Sequence, residues 1–91
     1  MKVRVYATLR QSVGAKEVEV GGGAGDTVRD VLTRLLLAHP GLEERILDRD
    51  SHVRPAVSVF VRGRNIKLLD GLETVLEEGD DLALFPPVAG G

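Results

Sequence analysis

Thr27-Val28-Arg29-Asp30-Val31-Leu32-Thr33-Arg34-Leu35-Leu36-Leu37-Ala38 decides the fold class. Val28, Val31, Leu32, Leu35 and Leu36 fall at the i, i+3, i+4, i+7, i+8 spacing, so they share one face of a helix. Thr27 and Asp30 resemble a capping box, with Asp in the place of the usual Glu. Pro40 and Gly41 stop the helix. One apolar stripe needs one apolar surface to lie on, and the flanking sequence supplies it as strands.

Upstream, Lys2 to Thr8 alternates Val3, Val5 and Ala7 with Lys2, Arg4 and Tyr6, which is a half-buried strand. Lys16 to Val20 alternates again, so the two form a hairpin, with Leu9 to Ala15 as its connection and Gly14 available for a turn. Downstream, Leu42 to Leu47 has the length of a short helical turn, and Asp48 to Arg54 reads as a polar surface loop. Pro55 opens a strand in which Val57, Val59 and Val61 alternate with Ala56, Ser58 and Phe60. Arg62-Gly63-Arg64-Asn65 is a turn, and Ile66 to Leu69 returns as a short strand. Leu72 to Leu76 is a helical or turn segment, Glu77 to Asp80 a turn, and Asp81 to Phe85 the last strand. The order is β-β-α-β-β-β. It predicts an α+β fold of the ubiquitin-like β-grasp kind, a mixed sheet with one main helix packed on one face. Residues 1-85 form the domain and 86-91 an extended tail.

The chain has 91 residues, 43% of them hydrophobic and 29% charged, which suits one small globular domain. Its net charge is −2, and its nine arginines are dispersed among fourteen acids. A nucleic-acid partner calls for a concentrated basic footprint, so none is expected. No apolar run reaches membrane-spanning length, and charges at Lys2 and Arg4 argue against a secretory leader. The expected compartment is the cytoplasm, with no membrane partner. Cysteine is absent and only two histidines, His39 and His52, are present, so no metal site is expected. The glycine-rich Gly21-Gly22-Gly23-Ala24-Gly25 precedes a helix, but Asp26-Thr27 follows where a phosphate cradle needs Gly-Lys-Ser/Thr. It is read as a turn.

Strand parity separates the side chains into two sets. Val3/Val5, Val18/Val20, Val57/Val59/Val61 and Leu82/Leu84 define the helix-facing side. Tyr6, Phe60 and Phe85, the only aromatics, fall on the opposite parity. Two readings follow: a partner-binding patch on the helix-free face, or core aromatics displaced by a one-residue bulge.

The last residues are Phe85-Pro86-Pro87-Val88-Ala89-Gly90-Gly91. Pro86-Pro87 removes two backbone donors and favours an extended exit from the sheet. Four further residues reach roughly 13–14 Å when extended, the depth of an active-site channel. Gly90-Gly91 carries no side chains and passes a narrow slot. The carboxylate of Gly91 is therefore the expected working group.

The segment Leu82-Ala83-Leu84-Phe85-Pro86-Pro87-Val88-Ala89-Gly90-Gly91 resembles the ending of the ubiquitin-like sulfur carriers, the MoaD/ThiS family, and above all the small subunit of molybdopterin synthase. Val5-Tyr6-Ala7-Thr8-Leu9-Arg10 with Gly14, and the helix from Thr27, are similar to that family in type and position. The resemblance implies that Gly91 is adenylated by an E1-like enzyme consuming ATP. A sulfurtransferase donor then converts it to a thiocarboxylate. That sulfur is next delivered, inside the large synthase subunit, to a pterin precursor of the molybdenum or tungsten cofactor. The carrier itself would hold no cofactor and would not be an enzyme alone. By position, the family's partner-contacting apolar residues fall near Tyr6, Ile66 and Phe85; Phe60 is added by parity. The stretch Ile66-Lys67-Leu68-Leu69-Asp70-Gly71-Leu72-Glu73-Thr74 is also similar to carriers that feed cysteine synthesis. The alternatives are thus carriage for cysteine, thiamine or tRNA thiolation, or conjugation to proteins through Gly91.

Overall fold

A computed structural model describes residues 1–87. Five strands, β1 (Lys2–Val5), β2 (Glu17–Glu19), β3 (Ser58–Val61), β4 (Arg64–Asn65) and β5 (Leu82–Phe85), form one sheet in the order β2-β1-β5-β3-β4. β1 and β5 are parallel, and the other three pairs are antiparallel. The three helices are α1 (Leu9–Val13), α2 (Val28–Ala38) and α3 (Glu43–Ile46). This is the ubiquitin-like β-grasp expected from the sequence.

α2 starts where the capping box places it. The Thr27 side chain accepts from the Asp30 N–H at 3.2 Å, and the Asp30 carboxylate accepts from the Thr27 N–H at 2.9 Å. Val28, Val31 and Leu35 are fully buried and Leu32 nearly so. They meet Val3, Val5, Val57, Val59, Val61, Leu82 and Leu84, the inward residues of β1, β5 and β3 and of the approach to β3. At roughly 25 cal/mol per Å² of apolar surface buried, this single layer is the main stabilising term in a chain with few aromatics.

Three segments differ from expectation. Leu9 to Ala15 is not an open hairpin connection: it contains the single helical turn α1, whose Leu9 is 1% exposed. Gly14, at φ +81°, closes that turn by donating to the Arg10 carbonyl at 2.7 Å. Burial of Leu9 holds a helix too short to be stable by propensity. The fourth strand is Arg64–Asn65, not Ile66 to Leu69. Arg62 and Gly63 both adopt positive φ, so the chain reverses within two residues and Arg64 already pairs with Val61. The Asn65 side chain then accepts from the Lys67 N–H at 3.0 Å, and Ile66–Leu68 coil into a 3₁₀ turn. Finally, Pro55 and Ala56 belong to a turn, and β3 begins at Ser58.

Candidate partner-binding face and tail exit

Pairing of Ser58 with Phe85, Phe60 with Ala83, and Arg4 with Ala83 puts these residues on one side of the sheet. Burial alternates as that register requires: Val59 and Val61 in β3, and Leu82 and Leu84 in β5, are buried, while Phe60, Ala83 and Phe85 are half-buried. The aromatics therefore sit on the face without α2. They form one cluster. Tyr6 stacks on Phe85 with centroids 4.4 Å apart and planes 10° from parallel. Phe60 meets Phe85 edge-on at 5.3 Å. Such offset and edge contacts add about 0.5–1.5 kcal/mol each beyond area burial.

Tyr6 lies just past β1, where its N–H donates to the Leu84 carbonyl at 3.1 Å. Ala7 then turns the chain at φ +50°, a left-handed conformation unusual for a residue with a Cβ, and leads into α1. From α1, Arg10 reaches back: its Nε donates to the Val5 carbonyl at 2.9 Å, and its guanidinium carbon lies 5.2 Å from the Tyr6 ring centroid. This is a cation–π contact.

Beside the aromatics runs a shallow groove of about 400 Å³, floored by Phe60, Ala83 and Phe85 and rimmed by Arg4, Arg62 and Asp81. Its rim charges are internally matched. Arg4 lies 3.4 Å from Asp81, and Arg62 pairs with Asp80 and, at 3.8 Å, with Glu77. The Arg4–Asp81 and Arg62–Glu77 pairs are exposed and add little stability, whereas the Asp80 side chain is nearly buried; together the pairs leave the groove edge close to neutral.

Of the residues singled out in the sequence, Tyr6, Phe60 and Phe85 come together, and Pro86 and Pro87 continue directly from Phe85, half-buried and exposed respectively. Ile66 does not join them. It is 6% exposed and packs among Val53, Val57, Val59 and Leu72, inside the core and away from the aromatic face. Val88, Ala89, Gly90 and Gly91 lie outside the described residues. Arg10 was not singled out for a role, because its approach to Tyr6 depends on a helical turn that the local sequence does not announce.

The glycine-rich stretch folds onto Asp26. The Asp26 carboxylate accepts from the Arg34 Nη1 at 3.0 Å and the Gly23 N–H at 3.1 Å, while Arg34 also donates to the Gly21 carbonyl. The Arg34 hydrogen bond, then that from Gly23, holds the Asp26 carboxyl below its usual range. An ionised carboxylate thus takes the donors that a phosphate would need. Elsewhere, Asp48, Asp50 and His52 bring their ligand atoms within 4.8 Å of one another. Asp48 is engaged in closing its own loop, accepting from the backbone N–H groups of Asp50 and His52. Among the described residues, no helix is long and apolar enough to cross a membrane.

The model of the ThiS family matches residues 3–91, which takes in the stretch that continues from the sheet and all of the sheet but Lys2. The chain belongs to this family of ubiquitin-like sulfur carriers. Small archaeal modifier protein 3 of Haloferax volcanii is 41% identical, covering 100% of this chain and 98% of that protein. A molybdopterin synthase sulfur carrier subunit of Chlamydomonas reinhardtii is 28% identical over 100% of this chain and 98% of its own length. Among solved structures, SAMP1 from Haloferax volcanii superposes with a TM-score of 0.87 at 34% identity, covering 99% of this chain and 97% of that one. The Amycolatopsis orientalis BexX/CysO complex gives 0.81 at 30% identity, covering 99% of this chain and 98% of that one. ThiS-family membership fits the chemistry of the chain: a carrier that holds sulfur on a carboxyl group needs no cysteine, and this chain has none.

Proposed function

We propose that this protein carries sulfur as a thiocarboxylate on Gly91 and, as the small subunit of molybdopterin synthase, donates it to a pterin precursor. The observation that supports this reading best is the continuity of site and tail: the aromatic face ends in Phe85-Pro86-Pro87, and Val88-Ala89-Gly90-Gly91 follow directly in the chain.

The steps follow from carboxylate chemistry. A carboxylate resists nucleophiles because of its negative charge and its poor leaving group. An E1-like partner overcomes both by joining Gly91 to AMP and releasing pyrophosphate from ATP. A sulfur nucleophile at the sulfide level, supplied by a sulfurtransferase, then displaces AMP and leaves the thiocarboxylate. That group is anionic near neutral pH and nucleophilic, and its tether prevents loss as free sulfide. The aromatic face seats the partner, and the proline pair directs the tail into the partner's channel. Gly90 and Gly91 pass the narrowest part of that channel because they lack side chains. Tethering also converts the transfer into a near-unimolecular step, which favours delivery to a bound acceptor.

A second reading rests on the name of the 41% identical relative, a modifier protein. In that case a lysine amine of a target protein attacks the same acyl-adenylate, AMP leaves, and an isopeptide bond forms. The two readings share the activation step and separate at the acceptor. The test adds the large synthase subunit and pterin precursor to chain already loaded with sulfur. The molybdopterin reading expects one dithiolene product for every two thiocarboxylates consumed, since each carrier delivers one sulfur and the dithiolene holds two. A loaded chain that yields no product overturns that acceptor and directs the search to cysteine, thiamine or tRNA thiolation. Gly91-dependent ladders on denaturing gels would instead support conjugation.

A further inference from the structure

Arg10 differs from the other arginines of the chain. Arg4, Arg29, Arg34 and Arg62 each lie within ion-pair distance of a carboxylate, and Arg45, Arg49, Arg54 and Arg64, which have no carboxylate partner among the described residues, are exposed. Among the described residues Arg10 has no such partner, and it is half-buried rather than free in solvent. Its Nε is fixed by the Val5 carbonyl at 2.9 Å and its central carbon lies over the Tyr6 ring at 5.2 Å, so the guanidinium is held before any partner arrives. The terminal nitrogens keep their donors for something else. Arginine and lysine cost rotamer entropy when a contact orders them, and a guanidinium already held loses less.

Its place in the fold is equally specific. Arg10 contacts Tyr6, Tyr6 stacks on Phe85, and the chain leaves the sheet immediately after Phe85. One end of the aromatic face thus carries an unmatched positive charge. Along the groove the charges are matched, by Arg4 with Asp81 and Arg62 with Asp80. Complementarity then dictates two different contacts: an uncharged, apolar side chain over Phe60, Ala83 and Phe85, and a carboxylate beside Tyr6.

We propose that Arg10 is a specificity-determining residue of the docking face, pairing with a carboxylate on the activating enzyme while an apolar side chain of that enzyme fills the groove over Phe60 and Phe85. The inference rests on the activation step described under Proposed function. It adds the chemistry of the partner surface: an acid next to an apolar knob. Arginine and tyrosine are among the residue types that dominate interface energetics.

The test is ATP–pyrophosphate exchange by the cognate E1-like enzyme, titrated with full-length chain. The variants are Arg10→Lys, Arg10→Gln and Arg10→Glu, with Arg45→Glu on the exposed side of α3 as the control. The expected result for Arg10→Glu is a rise of about tenfold or more in the half-saturating concentration, the effect of losing one desolvated charge contact. Its maximal exchange rate stays at the wild-type value. Arg10→Lys falls between the two, because a lysine keeps the charge but not the planar fork. Half-saturation of the wild type rises with salt, and that dependence weakens in Arg10→Glu. Arg45→Glu matches the wild type. Thermal melts accompany each titration; if Arg10→Glu fails to fold, Arg10→Gln, which keeps a donor for the Val5 carbonyl and removes the charge, decides the matter. Unchanged half-saturation in the folded charge-free variant overturns the inference. So does a fall in maximal rate alone, which would assign Arg10 to the chain's own terminal carboxylate. If the wild-type chain supports no exchange with an active enzyme, the activation reading itself fails; if it does and the variants match it, only the role of Arg10 is lost.

Discussion

Phe85→Ala removes the ring that both other aromatics touch, so it measures how much the helix-free face contributes to folding as well as to docking. Phe85 is half-buried, in contact with Tyr6 at 4.4 Å and Phe60 at 5.3 Å. An aromatic side chain buries 150–250 Å² when fully enclosed, so truncation here exposes about 100 Å² relative to alanine, or about 2.5 kcal/mol at 25 cal/mol per Å². Losing the two ring contacts adds about 1 kcal/mol at the low end of their range, about 0.5 kcal/mol for each half-exposed pair. The expected loss is about 3.5 kcal/mol, which for a domain of this size lowers the melting temperature by roughly 14–28 °C. Urea unfolding followed by circular dichroism gives the free energy directly, and an unchanged m-value shows that the two end states are still the same. Phe85→Leu separates the contributions: it retains most of the apolar area and loses the ring geometry, so its cost is about 1 kcal/mol. If Phe85→Ala costs under about 0.5 kcal/mol, the aromatic face is not packed as described, and the proposed docking surface loses its floor.

Other outcomes follow from single contacts. Thr27→Ala deletes the N-cap of α2 and is expected to cost about 1 kcal/mol, a fall of about 4–8 °C in melting temperature; no shift would contradict the capping box. Gly22 sits at φ +135°, and a Cβ there would lie 2.8 Å from the Arg34 Nη1. Gly22→Ala should therefore destabilise by about 1–2 kcal/mol, read by the same urea titration, and a neutral result would mean that the glycine turn is not held by Arg34. Asp26 and Asp48 have carboxyls held below their usual 3.8, the first mainly by the Arg34 hydrogen bond and the second mainly by the His52 backbone N–H. In such a case the unfolded chain binds protons more readily than the folded one, so the stabilisation is present above the unfolded value and is lost as pH falls through the lowered folded value. Stability should decline on acidification below about pH 4, and Asp26→Asn should flatten that decline; an identical slope in the variant would remove Asp26 from the account.

The parts of this fold that were legible in the sequence are those governed by a repeating period or a local cap. The 3.6-residue spacing from Val28 to Leu36 and the Thr27–Asp30 cap are local features, and the structure has both. The two-residue alternation placed Tyr6, Phe60 and Phe85 on one face without any knowledge of pairing, because a strand fixes side-chain direction residue by residue. The parts that were not legible depend on tertiary contacts. α1 exists because Leu9 is buried, and five residues carry too little periodicity to reveal it. The register of β4 depends on Arg62 accepting a left-handed conformation, which a sequence reading assigns to glycine first. That shift of register explains where Ile66 lies: expected in a strand, and near the partner contacts by family resemblance, it starts a 3₁₀ turn and is buried in the core. Arg10 shows the same limit at the site. Its fixed position comes from the Val5 carbonyl and the Tyr6 ring, two contacts made across the turn at Ala7. The expected roles of Val88, Ala89, Gly90 and Gly91 rest on chain order and family membership, and they lie beyond the described residues.

Sulfur loading of Gly91 is read from the intact mass of the full-length chain after incubation with ATP, a cognate E1-like enzyme and a sulfur donor. A parallel sample lacking Gly90-Gly91 is needed, because oxidation of Met1 adds nearly the same mass as sulfur replacing oxygen. The expected result is a gain equal to that replacement, dependent on ATP and confined to the chain that ends in Gly91. An unchanged mass with an enzyme proven active on another carrier, or an equal gain in the truncated chain, would contradict it.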